Sequence, residues 1–296
     1  MGKSILEYHK LNGEYFQEGY FGKLNDGYQE GPVMPINEEE TLDDFAQIFD
    51  LGRGNSPGLS IVVPWPRTDI EKESLIKAVI EEYFYPIIEN ELEVFIELPG
   101  VRIIFDSDTL IEEAYELKEE LEEGIDDNIL NVLDLASWSK RIEEQEKYRI
   151  NMPDPDRRWQ WEKDLFPSET LEKLRKAFRE NQKIAIEVPV TVRPAEGEPK
   201  ESYFEVYLTG NPDERERPVF VRDGIIIPKV RPPRTRGVTG LVIAEDDPLT
   251  KFLRAAENPA HTEWNKGTSK FRGSYTSGVS DLRFVTRSVH EIVKII

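Results

Sequence analysis

The residues of this 296-residue chain best suited to chemistry lie in its last quarter. Residues 228–237 read PKVRPPRTRG, which sets Lys229, Arg231, Arg234 and Arg236 in a loop stiffened by Pro228, Pro232 and Pro233. Proline restricts φ, so such a loop loses less entropy when it binds. Guanidinium forks match the oxygens of phosphates and carboxylates. The four cations therefore suit anion recognition. A competing use is internal, because the chain carries 58 acids that offer these arginines surface ion pairs. A second segment, ENPAHTEWNKGTSKFRGSY at 257–275, brings His261, Glu263, Trp264, Asn265, Lys266 and Lys270 close together. A histidine acting as a base needs an orienting carboxylate, and Glu257 and Glu263 are the nearest in sequence. The structural alternative is a histidine packed beside a tryptophan and held by hydrogen bonds.

Composition narrows the chemistry further. The chain has no Cys and only three His, His9, His261 and His290. Disulfides, thiolate metal sites and cysteine nucleophiles are excluded, and a histidine-rich metal site is disfavoured. There is no GxxxxGK[ST] phosphate loop, no HExxH and no GxSxG. LGRGNSPG has three glycines but lacks the context of a dinucleotide fingerprint. The acidic stretch IEEAYELKEELEEGIDD lacks calcium-loop spacing and reads as a solvated helix face. Net charge is −20, unevenly spread. Residues 61–150 carry 9 basic and 24 acidic side chains, whereas residues 217–296 carry 14 and 8. The acidic middle repels a phosphate backbone, and the basic quarter can meet a phosphate or an acidic partner. No apolar run approaches membrane-spanning length and the start, MGKSILEYHK, is unlike a signal peptide, so a soluble, cytoplasmic protein is expected.

These residues need a scaffold, and periodicity predicts an α+β fold. Residues 11–37 read as short strands and glycine turns, and 38–50 as a helix with Leu42, Phe45 and Ile48 or Phe49 inward. GLSIVVPWP reads as a strand ended by Pro64 and Pro66. Thr68 with Glu71 predicts a capping box for a helix whose stripe is Leu75, Ile76, Val79, Ile80, Tyr83, Phe84, Ile87 and Ile88, with Pro86 kinking or closing its end. ELEVFIEL and VRIIF, split by Pro99-Gly100, predict a hairpin, and residues 108–150 are mostly helical. Residues 151–167, NMPDPDRRWQWEKDLFP, read as a connector anchored by Trp159 and Trp161. IAIEVPVTV, SYFEVYLTG, PVFVRDGIII and GVTGLVIAE are strands, with Asp223-Gly224 a tight turn. DLRFVTRSVHEIVKII reads as one amphipathic helix. Two lobes are expected, 1–150 and 168–296, with mixed or antiparallel sheets backed by helices.

The segment GRGNSPGLSIVVPWP and the helix after it, together with FVRDGIIIPKVRPPRTRGVTGLVIAEDDPL through ENPAHTEWN, resemble bacterial ATP-binding proteins of the GHKL superfamily. That superfamily includes gyrase, heat-shock chaperones, histidine kinases and MutL. Gly58, Leu59, Ser60 and Ile61 stand where its post-lid strand opens with G-T-x-I, Leu59 replacing the usual Thr. The resemblance implies a truncated GHKL-like core over 1–150 and a transducer-like domain over 168–296, with Lys229, Arg231, Arg234 and Arg236 the nearest phosphate sensors. The superfamily's E-x-x-x-N helix and D-x-G-x-G turn do not occur before Gly58. The resemblance therefore implies a non-catalytic coupling component, with a place in bacterial defence as an analogy. It binds no cofactor alone and meets ATP and Mg²⁺ only through a protein partner carrying the missing motifs. The alternative is a module that binds nucleic acid or an acidic protein through 217–296.

Overall fold

A computed structural model describes residues 2–5, 9–10, 14–15, 18–24, 33–52, 61–62, 71–98, 100–120, 125–268 and 270–296. Gly58, Leu59, Ser60 and Thr68 lie outside the described residues, as does most of the expected GLSIVVPWP strand; Ile61 is exposed. The fold is mixed α/β, with antiparallel and mixed sheets backed by helices. The chain divides between Thr68 and Asp69, and each unit is internally connected.

In the first unit, β1 (Gly2–Ile5) pairs antiparallel with β4 (Glu18–Phe21), and β2 (His9–Lys10) pairs with β3 (Glu14–Tyr15). Then β5 (Lys23–Leu24) pairs with β6 (Val33–Met34), and α1 spans Glu39–Ile48. The expected inward stripe of α1 is not inward: Leu42, Phe45 and Ile48 are all exposed, and α1 buries no residue. Ten residues with so many acids have too little apolar surface to bury a face of their own. Phe45 instead meets Phe49, with ring centroids 4.6 Å apart.

The second unit is built on one sheet with helices on both faces. After α2 (Lys72–Ile88) come the hairpin β7 (Val94–Leu98) and β8 (Val101–Phe105), then α3 (Leu110–Glu120) and α4 (Asp127–Ser139). Glu71 is the N-cap of α2 and Ser74 closes its capping box, so Glu71 opens the box instead of closing it, and Pro86 lies inside the helix. Of the expected stripe, Ile76, Ile80, Phe84, Ile87 and Ile88 are buried, whereas Leu75 and Tyr83 are exposed. Short β9 (Tyr148–Arg149) precedes α5 (Ser168–Arg179), β10 (Ile184–Val192), β11 (Lys200–Glu216), β12 (Val219–Arg222) and β13 (Ile225–Ile226). Last come β14 (Thr235–Ala244), α6 (Asp247–Ala256), α7 (Gly278–Thr286) and α8 (Ser288–Ile295). The six-stranded order is β13-β12-β14-β11-β10-β9, with β12 parallel to β14 and β9 parallel to β10.

Alternation along the strands assigns one core to each face. Ile186, Val188, Phe204, Val206 and Val242 face α5, α6, α7 and α8. Ala185, Tyr207, Val221, Leu241 and Ile243 face α2, α3 and α4. The expected division at 151–167 therefore does not appear. Helices before that segment and strands after it share a core, and the segment itself is bound within the unit. Trp159 is buried, and its backbone N–H donates to Asp281 of α7 at 3.1 Å. Trp161 stacks on Phe284, with centroids 4.2 Å apart, and donates its indole N–H to the Phe284 carbonyl.

The expected single C-terminal helix is two, broken at Arg287. The break lets both halves of the apolar stripe reach the sheet: Leu282 and Val285 on α7, Val289 and Ile292 on α8. Val289 closes on Gly240 of β14, where an added Cβ would lie 2.9 Å from a Val289 methyl.

Burial pushes the Asp281 carboxyl up to about 6, against the Trp159 N–H and the Arg193 charge that favour its ionised form. Two predictions follow from this packing. Gly240→Ala forces α8 off β14 and lowers unfolding free energy by about 1–3 kcal/mol in urea titrations; an unchanged midpoint contradicts the close approach. Because the folded pKa of Asp281 is raised, its stabilising contribution is full below the unfolded value and is lost as pH rises through about 6. The stability of the wild type relative to Asp281→Asn should therefore fall by about 3 kcal/mol between acid and neutral pH, and a flat or rising difference contradicts the burial.

Candidate functional site

The basic loop is the crossover between parallel neighbours β12 and β14. Parallel strands cannot be joined by a tight turn, so the chain leaves the sheet and returns. It turns first at Asp223 and Gly224, both at positive φ, which suits a two-residue hairpin turn into β13. Residues 227–234 then carry it back. Two of the contacts that pin this return bear on the site. Arg217 Nε donates to the Pro232 carbonyl at 3.3 Å, and the Lys229 N–H donates to the Thr262 carbonyl at 2.7 Å. The second of these joins the two segments singled out in the sequence.

The 257–265 loop is closed around a buried charge. Glu257 pairs with Trp264 across a short antiparallel bridge. Asn258 braces the turn, accepting from the Thr262 N–H and donating to the Thr262 hydroxyl, both at 2.9 Å. His261 sits at φ +54° within it. The Glu257 carboxylate lies inside, with 1% of its side chain exposed, opposite Arg222, also 1% exposed. Arg222 Nε donates to Oε1 at 2.6 Å and Nη2 to Oε2 at 3.1 Å. His261 Nδ1 lies 2.7 Å from Oε2, and Trp264 Nε1 donates to Oε1 at 3.4 Å. Arg222 also reaches Asp223 at 3.1 Å, and Asp223 is shared with Arg254. Burial raises the Glu257 pKa, but hydrogen bonds from His261 and Arg222 and the Arg222 charge outweigh it and hold the carboxyl below its ordinary value.

His261 therefore has an orienting carboxylate, and it is Glu257. Glu263 is not its partner but lines a cavity. His261 lies outside the walls of that cavity and of the second one described below. Every Glu257 oxygen is taken by donors from Arg222, His261 and Trp264. The geometry makes Glu257 the clasp of the loop.

The cavity beside this clasp has a volume of about 560 Å³. Lys229 and Arg231 come from the crossover loop, Trp264, Asn265 and Lys266 from the clasped loop, and Arg283 from α7. Among the described residues, none of these four cations makes an ion pair within 4.0 Å, although Lys229 lies within electrostatic reach of Glu82 on α2. Glu263 is the acid in the wall. Arg234 and Arg236 are exposed and are not part of the lining. The cavity can thus hold an anion: it offers four cationic donors, an amide and one half-buried indole.

Of the residues singled out in the sequence, Lys229, Arg231, Glu263, Trp264, Asn265 and Lys266 line this cavity, while Arg222 and Arg283 were not singled out. Arg222 had a readable signal, a charge inside the apolar run VFVRDGIII, which demands a buried partner. Arg283 had none, since only tertiary packing brings α7 to the crossover loop.

Removing one member of the buried pair strands the other. Glu257→Ala should cost about 3–5 kcal/mol of unfolding free energy, while the double Arg222→Met, Glu257→Leu variant recovers much of it. A loss below about 1 kcal/mol for the single variant removes the clasp from this account.

Comparison with known proteins adds no relative: no protein-family model, no curated protein and no solved structure matches the chain. The GHKL resemblance therefore stands on its sequence segments alone.

Proposed function

We propose that the second unit is a binding module that recognises a phosphate-bearing ligand in the cavity between the crossover loop, the clasped loop and α7. The observation that supports it is the convergence of Lys229, Arg231, Lys266 and Arg283 in one cavity, unpaired among the described residues. Left without partners, they repel one another across the cavity until an anion enters. Guanidinium and ammonium groups together give both forked and point-charge recognition of phosphate oxygens.

The coupling role is a second reading of the same site. In it the phosphate belongs to ATP held by a protein partner, and Lys229 and Arg231 sense it; ATP and Mg²⁺ then reach this chain only through that partner. The presence of both side chains in the cavity favours this reading over one in which Arg234 or Arg236 is the sensor. A ligand that contacts these cations only in a closed complex would shift the complex toward closure.

The test is calorimetric titration with inorganic pyrophosphate at low ionic strength. Pyrophosphate binds the wild type, and Arg231→Ala or Lys266→Ala weakens binding by about tenfold or more, the scale of a hydrogen bond to a charged group. Arg234→Ala and Arg236→Ala leave it unchanged. Absence of binding, or equal losses in all four variants, overturns the assignment.

A further inference from the structure

The phosphate cavity is one end of a longer surface. A second cavity, of about 800 Å³, lies beyond it and shares two wall residues, Val279 and Arg283. These are four residues apart on α7, so they lie on one helix face and the surface runs over it. Arg158, Trp161 and Arg287 line the far cavity. Trp161 is half-buried and fixed by its stack on Phe284 and its bond to the Phe284 carbonyl. Among the described residues, the one ion pair of Arg287 is a partly exposed contact with Glu291 at 3.6 Å. A contact of that kind is worth little and yields easily to a competing anion.

Each cavity thus combines an indole with a set of cations: Trp264 with Lys229, Arg231 and Lys266, then Trp161 with Arg158 and Arg287, and Arg283 between them. Resting on the phosphate-binding reading above, we infer that the ligand is a single strand of nucleic acid laid along both cavities. Single strands present a phosphate and an unstacked base face at each step, and proteins without sequence preference meet them with cations and aromatic rings. The half-buried indoles of Trp161 and Trp264 add flat apolar surface that a run of carboxylates would leave uncovered. A duplex hides its base faces and presents a broad polyanion to a chain that is strongly acidic outside residues 217–296. A mononucleotide fills the first cavity and leaves the second without a role. Rigid rings and a proline-stiffened loop lower the ordering cost of binding.

Fluorescence anisotropy with labelled oligothymidylates and oligouridylates of increasing length tests this. Affinity rises with length until both cavities are spanned, and tryptophan emission is quenched by oligonucleotide but not by pyrophosphate. With at least four phosphates neutralised, log affinity falls against log salt with a slope of about −3 or steeper. Arg158→Ala abolishes the length gain and leaves pyrophosphate affinity unchanged, because Arg158 lines the far cavity alone. Trp161→Leu weakens oligonucleotide binding at least tenfold; should it unfold the chain, Arg158→Ala carries the test. The inference falls if long oligonucleotides bind no better than pyrophosphate, if the length gain survives Arg158→Ala, or if polyglutamate of equal charge binds as well. In those cases pyrophosphate binding leaves the phosphate cavity standing, whereas loss of pyrophosphate binding removes both.

Discussion

A buried charge must be neutralised where it lies, and the Arg222–Glu257 pair shows what that requirement builds. Two side chains each 1% exposed are removed from water. Their attraction offsets that cost only if the remaining hydrogen-bonding positions are filled. Arg222 supplies two donors, and His261 and Trp264 supply the others. Satisfying the carboxylate thus folds residues 257–265 back on themselves. The closed loop then places Trp264, Asn265 and Lys266 in the wall of the cavity, with His261 outside it. What looked in sequence like one polar cluster is divided: His261 serves the clasp, Asn265 and Lys266 line the cavity, and Trp264 does both.

Topology supplies the rest of the site. Because β12 and β14 are parallel, the segment between them has to cross over, and the crossover carries Lys229 and Arg231. Its hydrogen bond to Thr262 sets it beside the clasped loop. The connector at 151–167 reaches the same region because Asp281 and Phe284 hold Trp159 and Trp161 against α7. Three segments distant in sequence therefore meet over one helix, and each brings cations. No chemistry beyond charge, hydrogen bonding and aromatic surface is needed to explain what they are suited to hold.

Local elements were legible where local physics decides them. The β7–β8 hairpin and the Asp223-Gly224 turn follow from turn chemistry, and the buried part of the α2 stripe follows from period, although the same period also marked Leu75 and Tyr83, which are exposed. The inward side of α1 was misread, because periodicity marks a face without showing that anything covers it. The division of the chain was misread for a related reason. β10 is buried almost throughout, so both its faces needed covering, and α2, α3 and α4 from upstream supply one cover. The break at Arg287 and the arrival of Arg283 at the cavity are tertiary outcomes with no local signal. The loop cations Lys229 and Arg231 could be named from composition, whereas separating them from Arg234 and Arg236 required the path of the crossover.

The central claim is a location: an anion held among Lys229, Arg231, Lys266 and Arg283. Crystals soaked in tungstate test it most directly, because the anomalous signal of the metal marks the anion without reference to any assumed ligand. The account predicts the strongest peak inside this cavity, within hydrogen-bonding reach of at least two of the four cations. A cavity filled by the protein's own carboxylates, with tungstate only on the outer Arg234 and Arg236, would contradict it.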